Sequence, residues 1–391
     1  MSSSFGNQYS GFGHKTPSLR YLLAYLRIDL PLLFILSLIL GFSLVVLYST
    51  TGPTLSTVSS QASRILLGFI VMWLVALVPP QSLKRYTPVV FFICVQLLII
   101  VMFFGATAKG GQRWIELGVF RFQPSELFKV VVPMAVAWLV AGQGLPIRWK
   151  QFLISLVLIS VPFGLVVGQP DLGTALMIAL AGIITLVLAG LRWQIIVSGM
   201  AVLVVAVIII QQPQVLDELV NRGYLKEYQK TRILTLFSEG DEQTEARGTH
   251  WQSDQSAIAI GSGGLQGKGY QQGTQAKHGF LPEAHTDFVF AGLNEEFGMT
   301  GALLLLFFYL LIFFRSLVIA TSAQDTFSRL VAGTFAVMLM LNVCVNTLMV
   351  SGLLPVVGIP LPLFSYGGTS VVSTLAGFGM LMSIHSHRKT S

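Results

Sequence analysis

Glu283, His285 and Asp287 alternate along Leu281-Pro282-Glu283-Ala284-His285-Thr286-Asp287-Phe288, just before a long apolar run. A single positioned carboxylate can take a proton from a hydroxyl, an effect typically worth about 10²–10⁴-fold in rate. Asp287 is the candidate for that role. An unperturbed Asp titrates near about 3.9, too low for an ideal base at neutral pH. Burial beside Phe288 and Phe290 would raise that value and nearby cations would lower it, so the residues leave the balance open. They also leave open a plainer reading, in which Asp287 only caps the following helix.

Other chemistry-bearing residues lie at the ends of apolar runs. Glu126 and Lys129 are three apart, so they share a helix face and can form a local pair. Asp171 sits in the tight connection Gly168-Gln169-Pro170-Asp171-Leu172-Gly173-Thr174. A carboxylate at membrane depth costs roughly 2.5–3.5 kcal/mol, which argues for a polar cavity, while N-capping of the next helix is the simpler alternative. Glu295 and Glu296 fall where they would favour the positive end of a helix dipole. Lys109, Arg113, Arg121, Lys129, Lys268 and Lys277 supply positive charge near the same ends. Carboxylates, cations and apolar grooves together suit a lipid with an anionic head group, whose departing phosphate cations and helix N-termini can stabilise. His278 and His285 lack a third ligand at metal-binding spacing, so no metal site is assigned.

The elements that must position these groups are membrane helices. Hydrophobic residues make up 53% of the 391 and charged residues only 10%, against about 25% charged in soluble domains. About ten apolar runs are long enough to span, near 30–50, 62–79, 87–105, 125–142, 150–168, 171–190, 193–211, 290–314, 329–350 and 367–386. The predicted fold is an all-α polytopic membrane protein with both termini cytoplasmic. It comprises an N-terminal tail (1–29), one transmembrane domain (30–386) and a C-terminal tail (387–391). A large extracytoplasmic loop, 212–289, separates the seventh and eighth spans. Lys84, Arg85, Arg148, Lys150, Arg192, Arg315, Arg329, Arg388 and Lys389 fall on the cytoplasmic side in this scheme, as the positive-inside rule requires. No cleavable signal peptide is evident, and the first run is predicted to stay as an anchor. The basic residues on the other side point to an anionic ligand there. Cys94 and Cys344 lie in apolar runs and form no CxxC pattern.

Within the loop, 215–237 reads as an amphipathic helix. Gly261-Ser262-Gly263-Gly264-Leu265-Gln266-Gly267-Lys268-Gly269 fits neither GxGxxG nor a Walker A motif. Ser125 is placed to cap the fourth helix, with Pro124 before it. Asn342 and Asn346, one turn apart, are predicted to hydrogen-bond across helices. The irregular stretch 351–370 contains three prolines and must be buried in protein or line a cavity.

Taken in order, these segments resemble the SEDS family (shape, elongation, division and sporulation). The matching stretches are Lys109–Trp114, Phe122–Glu126, Gly168–Thr174, Tyr228-Gln229 with Arg232-Ile233, Gln255–Gly264, Gly273-Thr274-Gln275, Phe280–Phe290, Glu295-Glu296 and Gly352–Ser370. The versions GQPDLGT, GTQ and GIPLPLFSYGG are more similar to the elongation branch than to the division branch. Gly111 stands where family members often carry Ala.

The resemblance implies a peptidoglycan glycosyltransferase of the bacterial inner membrane, working on its extracytoplasmic face. The implied substrates are lipid II and the growing glycan strand, joined by an inverting β-1,4 transfer that releases undecaprenyl pyrophosphate. Asp287 matches the family's essential aspartate. Lys109 and Arg113 are assigned to the pyrophosphate. Glu126, Lys129 and Asp171 are assigned to a polar cavity, and Glu283 and His285 are neighbours of Asp287 without a defined role. No cofactor is required by the sequence, which leaves room for Mg²⁺ or Mn²⁺ to bridge the pyrophosphate. A class B penicillin-binding protein and other elongation-complex proteins are the implied partners; nucleic acid is not. A lipid II flippase and a non-catalytic scaffold are the alternative readings.

Overall fold

A computed structural model describes residues 27–51, 55–108, 111–117, 120–142, 146–199, 201, 212–222, 230, 244–275, 280–281, 283–354 and 356–387. Lys109, Lys277, His278, Pro282, residues 1–26 and 388–391, and 223–243 apart from Lys230 lie outside them.

The chain is mostly helical. In order, the helices are α1 (Leu30–Thr50), α2 (Leu55–Leu77), α3 (Pro80–Phe104), α4 (Ser125–Ala141), α5 (Trp149–Gly168) and α6 (Leu172–Leu188). They continue with α7 (Pro213–Asn221), α8 (Thr244–Gly263), α9 (Val289–Thr321), α10 (Thr326–Val350) and α11 (Gly368–Ser386). Six of them, α1, α2, α3, α5, α9 and α10, are long and apolar enough to cross a membrane. Residues 193–199 of the seventh apolar run are helical, and 202–211 lie outside the described residues.

Three details differ from the sequence reading. Residues 106–122 form a small antiparallel sheet, β1 (Ala106–Ala108), β2 (Gly111–Leu117) and β3 (Phe120–Phe122), in the order β1-β2-β3. The protein is therefore mostly helical with a small sheet rather than purely α. Pairing satisfies backbone groups that a connection without helix would leave open. The predicted amphipathic helix 215–237 is not one continuous helix: α7 ends at Asn221 and Lys230 is helical again, with 223–229 and 231–237 outside the described residues. Ser125 is the first residue of α4 and not its cap; Pro124 takes the cap position and makes no side-chain cap bond.

Asp171 does cap α6, its Oδ1 accepting from the Thr174 N–H at 3.2 Å. Asp29 caps α1 in the same way, at 2.9 Å from the Leu32 nitrogen.

One large core joins α1, α2, α9, α10 and α11. It includes Leu36, Met72, Tyr309, Val343 and Phe378, and reaches Leu281, Ala284 and Phe288 of the loop before α9. A second core joins α3 to α6 around Phe128, Val136 and Val166. The loop carrying Asp287 is thus built onto the first core.

α9 breaks at Gly298, whose φ of 65° and ψ of −165° are not helical. A Cβ there would lie 2.4 Å from the Gly267 nitrogen, so only glycine fits. The break frees backbone groups, and the glycine-rich segment after α8 pairs with them. Lys268 and Gly269 N–H groups donate to the Glu295 and Glu296 carbonyls at 2.9 and 3.0 Å, and Met299 N–H donates to the Gly264 carbonyl at 3.0 Å. Interrupted helix in an apolar setting needs such partners. The glycine-rich segment is thus a backbone clamp on α9.

Candidate functional site

Leu281, Ala284 and Phe288 are buried. They pin the stretch to the core, while Glu283, His285, Thr286 and Asp287 remain partly accessible. The turn is closed locally. The Glu283 carbonyl accepts from Thr286 N–H at 2.9 Å, and the Thr286 hydroxyl donates to Glu283 Oε2 at 2.8 Å. Glu283 itself has a left-handed φ of 56°.

The irregular stretch after α10 holds the same turn from the other side. Three consecutive carbonyls each receive a donor. Tyr366 N–H donates to His285 O at 2.9 Å. Ser365 Oγ donates to Thr286 O at 2.6 Å. Asn346 Nδ2 donates to Asp287 O at 2.9 Å and also to Ile359 O at 2.7 Å. The Asp287 backbone is therefore fixed by residues 59 and more positions away. Gly358, with φ of 73°, brings its backbone so near that a Cβ would lie 3.5 Å from Asp287 Oδ2. Asn346 thus bonds away from its own helix, but to the turn before α9 and the irregular stretch rather than to another helix as predicted. Asn342 instead donates to the Met338 carbonyl of its own helix.

Above Asp287's neighbour lies an aromatic and cationic stack. The His285 ring meets the Tyr366 ring edge-on, with centroids 5.8 Å apart. The Arg64 guanidinium lies over the Tyr366 ring at 4.6 Å. One turn before Arg64, buried Gln61 reaches the Ser365 carbonyl at 3.5 Å.

Pro360 and Pro362 of the irregular stretch also line a cavity with Glu126, Lys129, Asn342 and Ser370. Glu126 and Lys129 pair at 2.8 Å, with side chains 7% and 17% exposed. At that burial the pair is more than a solvated surface contact, because screening is weak. Residues 356–366 thus form a shared wall, holding the Asp287 turn and bounding the polar cavity.

Arg113 and Asp171 form a separate node. Arg113 donates from Nε to Gln169 O at 3.0 Å and from Nη2 to Pro170 O, and its Nη1 lies 3.7 Å from Asp171 Oδ2. Gln123 joins this node to α11. Its Nε2 donates to Asp171 Oδ2 at 3.0 Å, and its backbone N–H donates to Thr369 Oγ1 at 3.0 Å. Arg113 clamps the α5–α6 connection, so an anion would compete with three protein acceptors. Lys109, its predicted companion, is outside the described residues.

Glu295 and Glu296 do more than favour a helix dipole. Glu295 is fully buried and takes Lys268 Nζ at 2.6 Å, Thr274 N–H at 2.7 Å, Thr274 Oγ1 at 2.8 Å and Gln275 N–H at 3.1 Å. Ser49 Oγ of α1 donates to Glu296 Oε1 at 2.5 Å. These carboxylates lock the segment leading from α8 toward Asp287. Among the described residues, no group of three or more His, Cys, Asp or Glu is arranged to hold a metal ion. A divalent cation here would need phosphate oxygens of the substrate for most of its ligands.

Arg64, Gln61 and Gln123 escaped the sequence reading. Arg64 carried a signal: a lone cation against an apolar run. Starting the second span at residue 62 placed it at a helix end, where it looked ordinary. α2 begins at Leu55 and places it well inside.

The fold and site define a multi-pass membrane protein with a carboxylate-bearing turn fixed between two helix ends. Comparison with known proteins agrees. A family model described as cell cycle protein, of the FtsW, RodA and SpoVE group, matches residues 21–390. Peptidoglycan glycosyltransferase MrdB of Escherichia coli K12 is 44% identical over 363 residues, 93% of this chain and 95% of the relative. A solved RodA from Thermus thermophilus is 28% identical, with a TM-score of 0.68 over 93% of this chain and 98% of that one. A chain from work on polymerization and crosslinking by a peptidoglycan synthase complex is also 28% identical. Its TM-score is 0.77, over 93% of this chain and 99% of that one. The chain belongs to the SEDS family, on its RodA-like side, and is a glycosyltransferase.

Proposed function

We propose that the chain polymerises lipid II into β-1,4-linked glycan during cell elongation, on the extracytoplasmic face of the bacterial inner membrane. Asp287 acts as general base. It takes the proton of the acceptor GlcNAc 4-hydroxyl as that oxygen bonds to C1 of the donor MurNAc. The C1–O bond to phosphate breaks with inversion, and its electron pair leaves on undecaprenyl pyrophosphate. The observation that carries this reading is the clamping of the His285, Thr286 and Asp287 carbonyls by donors from 346–366. A base must be held in place to contribute fully, since misplacement by about 1 Å can cost 10²-fold.

The Glu126–Lys129 cavity behind the same wall serves the sugar or diphosphate portion of the substrate. Glu283 orients Thr286, and His285 borders the substrate. Arg113 and Asp171 set the α5–α6 connection, with Lys109 beside them as a further diphosphate ligand. Ten spans and cytoplasmic termini fit this placement, and the partner is a class B penicillin-binding protein of the elongation complex.

The test uses the purified full chain with that partner and labelled lipid II. Wild type makes polymer, and Asp287→Asn lowers the rate about 10²–10⁴-fold. Equal polymer from Asp287→Asn removes the base assignment. No polymer from wild type, with lipid II still crossing vesicles, favours the transport reading.

A further inference from the structure

Arg64 stands about 14 Å along α2 from its first residue, given the helical rise of about 1.5 Å per residue. It lies in a helix long and apolar enough to span. Arg64 is part-exposed at the start of that helix's apolar run, where a cation normally faces a partner or a substrate path. Three cations within the helix bundle have carboxylates: Lys129 has Glu126, Lys268 has Glu295, and Arg315 has Asp29. Among the described residues, Arg64 has no carboxylate within ion-pair distance and no hydrogen bond. Its contact is the face of Tyr366.

That contact matters for geometry. A guanidinium held over a ring by cation–π attraction keeps its N–H donors available to grip an anion bidentately. The platform is itself fixed to the catalytic turn, because Tyr366 N–H donates to His285 O at 2.9 Å and the two rings meet edge-on. Arg113 offers the poorer anion site, since protein acceptors already occupy it.

We propose that Arg64, held by Tyr366, is the residue that binds the diphosphate of the lipid-linked donor and stabilises it as it leaves. The assignment rests on the glycosyltransferase reading above for its substrate, and on the unpaired, stacked cation beside His285 for its position. Tyr366 is a positioning residue for Arg64.

The experiment measures binding of a prenyl diphosphate, a prenyl monophosphate and the matching prenyl alcohol to the full-length chain in nanodiscs. Arg64→Gln is expected to raise the Kd for diphosphate about 10- to 100-fold, the range for losing a charge-assisted contact, with alcohol binding unchanged. Arg64→Lys keeps the charge but not the fork, and is expected to fall between the two. It also decides the matter if Arg64→Gln does not fold. Wild-type diphosphate affinity in either folded variant overturns the proposal. Polymerisation of lipid II, run in parallel, separates the two claims. Arg64-dependent diphosphate binding without polymer from wild type would sink the enzymatic reading and leave the anion site standing. Polymer from Arg64→Gln with unchanged KM and kcat would sink the anion site alone.

Discussion

Asn346 is the most informative residue to change, because one side chain holds two strands of the site. Its Nδ2 donates to Asp287 O at 2.9 Å and to Ile359 O at 2.7 Å, and the residue is fully buried. Asn346→Leu keeps most of the volume and removes both donors. The Ile359 carbonyl would be left dry and unpaired, at a cost of about 1–3 kcal/mol. The Asp287 carbonyl is partly wetted and costs less. A small offset comes from Asn346 Oδ1, a buried acceptor without a hydrogen bond, which the substitution also removes. The net is a loss of about 1–3 kcal/mol, which spans of this size can bear without unfolding.

The larger effect falls on catalysis. With Asn346 gone, the Asp287 carbonyl is no longer tied to 356–366, and the turn relaxes about its remaining ties at His285 and Thr286. A shift of about 1 Å in the base is expected to lower kcat about 10²-fold, or about 2.7 kcal/mol. KM should change by no more than about twofold, since positioning of the base acts in the transition state. The assay is polymerisation of labelled lipid II at several concentrations, with thermal melting of the same preparations. Wild-type kcat in a folded Asn346→Leu protein would refute the claim that this clamp sets the position of Asp287. So would a rise in KM with kcat unchanged.

Three further outcomes are expected. Gly358→Ala, at a φ of 73°, should cost about 1–2 kcal/mol in backbone strain and slow polymerisation about tenfold by displacing the wall beside Asp287; an unchanged rate would mean the wall tolerates another conformation. Glu295→Ala leaves Lys268 without its carboxylate. With Lys268 29% exposed, the loss should be about 2–3 kcal/mol, seen as faster hydrogen exchange in 264–275 with α10 unaffected. Asp29 reports on pH. Burial alone would raise its carboxyl, but Arg315, the Leu32 N–H and His385 hold it below its ordinary 3.8. A depressed folded value gives stability that is present above 3.8 and lost as pH falls through the lower folded value. The melting temperature should therefore drop below about pH 4, and Asp29→Asn should start lower and flatten that drop.

What could be read from the sequence depended on how far apart the partners are. The Asp171 cap reaches three residues ahead, and the Glu126–Lys129 pair spans one turn. Both were legible. The Glu283–Asp287 stretch was legible because ionisable residues are rare in an apolar chain. Glu295 and Glu296 looked like dipole partners because their real partners, Thr274, Lys268 and Ser49, are between 21 and 247 positions away. The protein acceptors of Arg113, 56 and 57 residues on, were out of reach of the sequence for the same reason. The sheet at 106–122 was missed because two of its strands are three residues long, too short to show alternation.

These long-range contacts share a direction. Glu295 and Arg113, read as a dipole partner and an anion ligand, also hold backbone groups, and Arg64, with no polar partner among the described residues, was passed over. In an apolar chain that pattern follows from energetics. Broken helices and proline-rich stretches expose carbonyls and N–H groups that lipid cannot satisfy, so nearby polar side chains are drawn into satisfying them. Asn346, Ser365, Glu295 and Arg113 all serve that need. A polar group that stays outside this network must be held in place by something else, as Arg64 is by the Tyr366 ring. Arg64 is part-exposed and without an acceptor among the described residues, so its N–H donors remain open to an anionic ligand.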